Sequence, residues 1–305
     1  MRERMVSMGA LLTVYAAFCA YAIIDAGAFS DDRWYLLYVE VFRGNAAISD
    51  VAIPFCWRPI VPLLVALIPT TATTGAFILV SIAFGAGFLI VLYHICLEFT
   101  ERDIVILPIM LLLVTGANLY RYAVLANIET AQLFFIALIA LWVLQDRPIT
   151  YIIAALFVGV FVKETVIFAG LLYIVYRWHR WPVISGVILT STVYIAFRYV
   201  LSGTISQGIV FRLDNFTVRA FMTFQNLVVG LLIVGILWLV GVLLDPRLSR
   251  KALNWSLVTT LTIGLPIAIL GFFFAFSGAR FLMPLWIGVV PMIMSMFDNI
   301  GVNEE

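Results

Sequence analysis

Apolar runs of bilayer-crossing length recur along this chain, and no other feature restricts its possible folds so severely. Hydropathy marks them at roughly 5–24, 75–97, 104–119, 130–145, 149–162, 165–177, 182–200, 224–244, 254–276 and 280–297. A helix needs about 20 apolar residues to cross the hydrocarbon core, so some runs are full length and others short. Hydrophobic residues make up 64% of the chain and charged residues 11%, against about 45–50% and about 25% in soluble domains. A soluble fold could not hide that much apolar surface. The expected fold is an all-α, polytopic transmembrane bundle of about ten spans, one integral-membrane domain over 1–305.

The first run follows Met1-Arg-Glu-Arg and precedes Ala26-Gly27-Ala28, which resembles a secretory signal with a small-residue cleavage site. Its length, from Met5 to Ile24, favours an uncleaved first span. Ten spans with the N-terminus inside return the C-terminus inside, so both termini are expected in the cytoplasm of a prokaryotic cell. The 18 basic residues divide nine and nine between the two sides of that topology. The basic N-terminus and the turns RWHR (177–180) and DPRLSRK (245–251) break the tie towards this orientation. A net charge of +1 gives no argument for a nucleic-acid partner. Cys19, Cys56 and Cys96 are scattered and the two histidines stand apart, which argues against a protein-ligated zinc, a haem or a disulfide framework.

Charge concentrates between Asp25 and Pro62. Asp25, Asp31, Asp32, Arg33, Glu40, Arg43, Asp50 and Arg58 all lie between the first span and the next. The whole connection, 25–74, is expected to form a first outer loop carrying interfacial helices. Within it Pro59 to Pro69 is apolar but too short to cross, so it lies in the interface or re-enters. A second outer loop, about 201–223, is a candidate cover for a cavity.

Asp31-Asp32 is the leading candidate for chemistry. Adjacent carboxylates repel, which raises the pKa of one and suits it to accept a proton. The alternative is that Ser30 caps a helix over about 31–42 and the aspartates stabilise its positive end. Lys163-Glu164 interrupts the apolar run 149–177, either as an ion pair within one helix or as a turn between two short ones. Ionisable groups in such a run mark a water-filled site by default; a charged helix end at the surface is the plain alternative. Glu129, with Asn127 and Arg121 nearby, reads as a weaker version of the same feature or as a polar turn. Arg280 and Arg58 suit bidentate binding of phosphate oxygens, or else anchor their helices by snorkelling.

Taken together these stretches resemble the GT-C class of polyprenyl-phosphate-sugar-dependent glycosyltransferases, which includes protein O-mannosyltransferases and lipid A aminoarabinose transferases. That class has an acidic pair with a following tyrosine just after its first span. Ser30-Asp31-Asp32-Arg33-Trp34-Tyr35 matches it, with Asp-Asp where Asp-Glu is frequent. Small prokaryotic members share a Pro-Phe-x-x-Arg-Pro stretch, matched by Pro54-Phe55-Cys56-Trp57-Arg58-Pro59, and an Arg/Lys-Glu-Thr turn, matched by Lys163-Glu164-Thr165. The matches cover about 30–165, with Arg280 a looser fourth point. The chain is shorter than the large transferases and has no soluble C-terminal domain.

The resemblance implies a GT-C-like fold, an outward-facing site in the cell envelope, and a polyprenyl-phosphate sugar donor drawn from the membrane lipid. It implies Asp31 as base, Asp32 orienting it or sharing a divalent cation with it, and Arg58 and Arg280 on the donor phosphate. Tyr35, Arg121, Glu129, Lys163 and Glu164 then line the substrate site. Two other classes compete. A transporter or lipid flippase would use the same charges to line a path, and a membrane subunit of a larger assembly would use them structurally.

Overall fold

The computed structural model describes residues 2–25, 32–52, 55–100, 102–116, 119–176, 181–202, 250–267 and 283–300. Among the described residues the regular structure is helical throughout. The helices are α1 (Arg2–Asp25), α2 (Asp32–Phe42), α3 (Ile60–Ala66), α4 (Thr73–Leu97), α5 (Asp103–Gly116) and α6 (Leu119–Ala123). They continue with α7 (Glu129–Leu144), α8 (Ile149–Val162), α9 (Phe168–Tyr176), α10 (Trp181–Ser202), α11 (Arg250–Thr259) and α12 (Trp286–Ile300). The expected span 224–244 and nearly all of the expected loop 201–223 lie outside the described residues.

Segments of α1, α4 and α10 are long and apolar enough to cross a bilayer. Apolar segments in α5, α7, α8, the 164–176 stretch and 283–295 are shorter than a crossing requires. The protein is thus a helical membrane protein whose helices differ in reach. The faces of α10 agree: Ile188, Leu189, Ile195 and Val200 are exposed, as expected of a surface solvated by acyl chains rather than water. Trp181 and Tyr199 are exposed near its two ends. They are separated by about 27 Å of helix rise, close to the spacing of the two interfacial aromatic belts.

Polar contacts define two ends of the bundle. At one end Glu98, after α4, accepts from Gln145 at the end of α7 (3.2 Å), and its carbonyl accepts from Lys251 of α11 (2.9 Å). The start of α5 joins them, since Asp103 accepts from Tyr93 (2.7 Å). At the other end α2, α3 and the intervening turns form a cap. The cap has its own core, in which Tyr35, Tyr38, Val39, Val51, Phe55, Cys56, Val61 and Val65 pack on Phe77, Ile128 and Val162.

A polar knot ties the end of α2 to the start of α4. Glu40 accepts from Asn45 Nδ2 (2.7 Å), Thr73 Oγ1 (3.0 Å) and Arg43 Nη1 (3.2 Å). Arg43 also donates to Thr73 Oγ1 (2.6 Å). These bonds, the Asn45 amide foremost, hold the Glu40 carboxyl below its ordinary value of 4.5.

Small residues set how closely the helices meet. A Cβ at Gly159 would lie 2.6 Å from a Val166 methyl and 3.2 Å from the Phe135 Cβ, so only glycine lets α8 fold back on α7 and on the turn that follows it. Gly159→Leu is expected to cost about 1–3 kcal/mol through overpacking, read as a lower midpoint of thermal unfolding in detergent. Glu40 gives a pH signature. Its depressed folded pKa means that its stabilisation is present above the unfolded value and is lost as pH falls through the folded one. The stability difference between the wild type and Glu40→Gln should therefore hold at neutral pH and vanish progressively below about pH 4.5, its ordinary value.

Candidate functional site

Helix α8 has 14 residues and rises about 21 Å, short of the roughly 30 Å hydrocarbon core. It leaves the end marked by Gln145 and stops at Lys163, whose backbone is extended (φ −159°, ψ 133°). A 3-10 turn, Glu164–Ile167, then reverses the chain into α9. The sequence left open one helix with a buried ion pair or two short helices meeting at a charged turn. The second is what forms. Alongside, α7 starts only at Glu129, after the buried non-helical run 124–128. Both elements therefore end below the cap. Non-helical backbone at that depth is tolerated only where protein or a wet cavity covers it, and here the cap covers it.

Two ion pairs hold the junction. Arg58, from the cap, donates through Nε and Nη2 to the two oxygens of Glu164 at 3.1 and 2.6 Å, a side-on fork. Its Nη1 donates to the Tyr35 hydroxyl at 2.9 Å. Burial would lower the Arg58 guanidinium, but Glu164 and Tyr35 more than offset it and keep the charge. Burial pushes the Tyr35 phenol up, with Arg58 acting the other way, so Tyr35 is neutral and keeps a proton to donate. One helix over, Lys163 Nζ pairs with Glu129 Oε1 at 3.2 Å. Both residues are buried, at 6% and 7% exposure, against a third for the Glu164 side chain. The Glu164 carboxylate is thus the part of this network most open to its surroundings.

Neighbouring polar groups complete the surroundings. Gln132 donates to Thr165 at 2.8 Å, fixing the 3-10 turn to α7. The Asn127 side chain accepts from the Glu129 backbone N–H (3.2 Å), and Ser81 of α4 donates to the Asn127 carbonyl (3.3 Å). From α10, Tyr194 donates to Glu164 Oε2 at 3.4 Å. One turn further on, the Arg198 guanidinium stacks 3.6 Å over the Trp57 ring.

The structure therefore gathers Tyr35, Arg58, Glu129, Lys163 and Glu164 from four separate stretches of chain. Asp32 opens α2 one turn before Tyr35, which places its backbone beside the cluster. Asp31, the Asp32 and Arg121 side chains, and Arg280 lie outside what the structure describes. The described carboxylates do not suit a divalent cation, because Glu129 and Glu164 are each spent on a basic side chain. Among the described residues there is no cluster of three metal-ligating side chains.

Sequence reasoning passed over Tyr194, Arg198, Trp57 and Gln132. The available signal was the spacing of Tyr194 and Arg198, four apart and so on one face of an apolar helix. Comparison of the chain with protein families, with curated proteins and with solved structures finds no match.

The Arg58–Glu164 pair is expected to show strong coupling. Glu164→Gln and Arg58→Met should each destabilise, and a double-mutant cycle should return about 1–3 kcal/mol of interaction energy. That figure is below the cost of breaking a fully buried pair, because Glu164 is partly exposed. Unfolding in mixed micelles of the four variants measures it.

Proposed function

We propose that this protein is an integral-membrane glycosyltransferase that moves a sugar from a polyprenyl-phosphate carrier to an acceptor at the outer face of the membrane. One observation carries the reading. Of the three stretches that resemble the GT-C class, two lie in the cap and the third is far from them in sequence, and their residues Tyr35, Arg58 and Glu164 meet within hydrogen-bond distance. In this reading the cap end is the outer side, both termini are cytoplasmic, and the chain crosses about ten times.

Asp31 takes the proton from the acceptor hydroxyl as its oxygen attacks the anomeric carbon. The bond from that carbon to the donor phosphate oxygen breaks, and polyprenyl phosphate leaves with the electron pair. Asp32 orients the base, and Arg58 and Arg280 face the phosphate. Arg58 has two guanidinium N–H groups beyond the three that bond Glu164 and Tyr35, so it can hold the cap and meet an anion at once. An outward site suits a lipid-linked donor, since nucleotide sugars are cytoplasmic.

A second reading, a transporter, draws support from the Lys163–Glu129 pair buried between two membrane helices. The two separate in one assay with protein in nanodiscs and a panel of labelled polyprenyl-phosphate hexoses. Wild type should form a covalent glycosylated product. Asp31→Asn should lose about 10²–10⁴-fold, the contribution of a general base, while remaining folded. Undiminished transfer by Asp31→Asn removes the catalytic assignment. Movement of cargo across liposomes with no new covalent product supports the transporter instead.

A further inference from the structure

The seam between α10 and the cap holds a cation, Arg198, that no acid among the described residues neutralises. Three described side chains in the cluster are basic, Arg58, Lys163 and Arg198, while two are acidic, Glu129 and Glu164. Glu164 accepts from Arg58, and Glu129 from Lys163. Among the described residues Arg198 has aromatic contacts alone, with Trp57 at 3.6 Å and with Tyr194 at 5.7 Å to the ring centroid. Stacking on Trp57 orients a guanidinium plane without using its N–H donors. The Trp57 indole Nε1 is itself buried and has no hydrogen-bond acceptor among the described residues, a state that costs free energy until an acceptor arrives.

Arg198 is held against the site through two neighbours. Trp57 precedes Arg58 in the chain, and Tyr194, one turn before Arg198, bonds the carboxylate that Arg58 grips. Among the described residues, five unspent guanidinium donors on Arg198, an orphaned indole N–H and the two remaining donors of Arg58 thus stand along one seam. Arg198 lies one residue before Tyr199, at the exposed aromatic end of α10, where lipid headgroups sit. A sulfate-like or phosphate-like anion answers that donor set, and a carboxylate-rich protein surface would not reach beneath the cap.

We infer that Arg198, Trp57 and Arg58 form a phosphate-binding subsite that takes the phosphate of a membrane lipid at the α10–cap seam. The inference rests on the outer-face reading above for its choice of a polyprenyl phosphate as the lipid. It adds two residues, Arg198 and Trp57, that the motifs do not contain. Arg198 supplies the charge, the Trp57 ring holds the guanidinium in place, and the Trp57 N–H and the spare donors of Arg58 complete the set.

Binding is measured apart from sugar transfer, by native mass spectrometry and thermal shift on purified full-length protein. The probes are undecaprenyl phosphate, undecaprenol, phosphatidic acid and inorganic phosphate. Wild type should bind undecaprenyl phosphate at least tenfold more tightly than undecaprenol. Arg198→Gln should abolish that preference and leave undecaprenol binding unchanged, and Arg198→Lys should restore part of it. Trp57→Phe keeps a ring and removes the N–H. It should weaken phosphate-lipid binding several-fold without lowering the unfolding midpoint, an outcome that a purely structural role for Trp57 would not produce.

Equal binding by phosphatidic acid would make the subsite a general phospholipid site, and equal binding by inorganic phosphate would make the lipid irrelevant. Either result overturns the polyprenyl assignment. Unchanged phosphate preference in a folded Arg198→Gln protein overturns the subsite itself. Selective binding with no glycosylated product in any assay would sustain the subsite and end the transferase reading alone.

Discussion

The structure turns on the grip of Arg58 upon Glu164. It joins two parts of the molecule that lie far apart in sequence, a cap built from the first long connection and the reversal between α8 and α9. Neither is self-sufficient. The reversal places non-helical backbone and a carboxylate beneath the cap, which covers them. The cap is a pair of short helices with one apolar face, which needs a bundle to rest on. A bidentate pair satisfies the geometry of both at once and leaves neither charge alone in a low-dielectric setting.

From that constraint the layout of the site follows. Helices α7 and α8 fall short of the bilayer thickness, so their polar ends converge rather than emerging separately at the surface. Lys163 and Glu129 lie on adjacent helices and neutralise one another there. The longer α10 runs past these pairs and adds Tyr194 and Arg198 from the side. Differences in helix length, more than any one motif, bring these charged side chains together inside an apolar protein.

Much of the fold was legible in the chain. The runs 75–97, 149–162 and 182–200 correspond to α4, α8 and α10 within two residues at either end, because a helix in lipid must satisfy its own backbone and so follows hydropathy closely. Pro59–Pro69, read as apolar but too short to cross, holds α3, a single short helix. Hydropathy spoke less well to which runs reach across: among the described residues α1, α4 and α10 are long enough, and the other apolar helices are shorter. The site was half legible. Charges in apolar surroundings pointed to Arg58, Glu129, Lys163 and Glu164, since such residues are too costly to carry without a partner. Nothing in the chain said which carboxylate belongs to which cation.

Composition and periodicity alone determined that this is an all-helical membrane protein with a charged segment after its first helix. Those properties depend on local backbone satisfaction and on transfer from water to lipid, both of which are read residue by residue. The tertiary structure decided the pairing of Arg58 with Glu164 and of Lys163 with Glu129, and the arrival of Arg198 over Trp57. Those depend on where helices of unequal length stop and how closely glycines let them approach, and such distances exist only once the chain has packed.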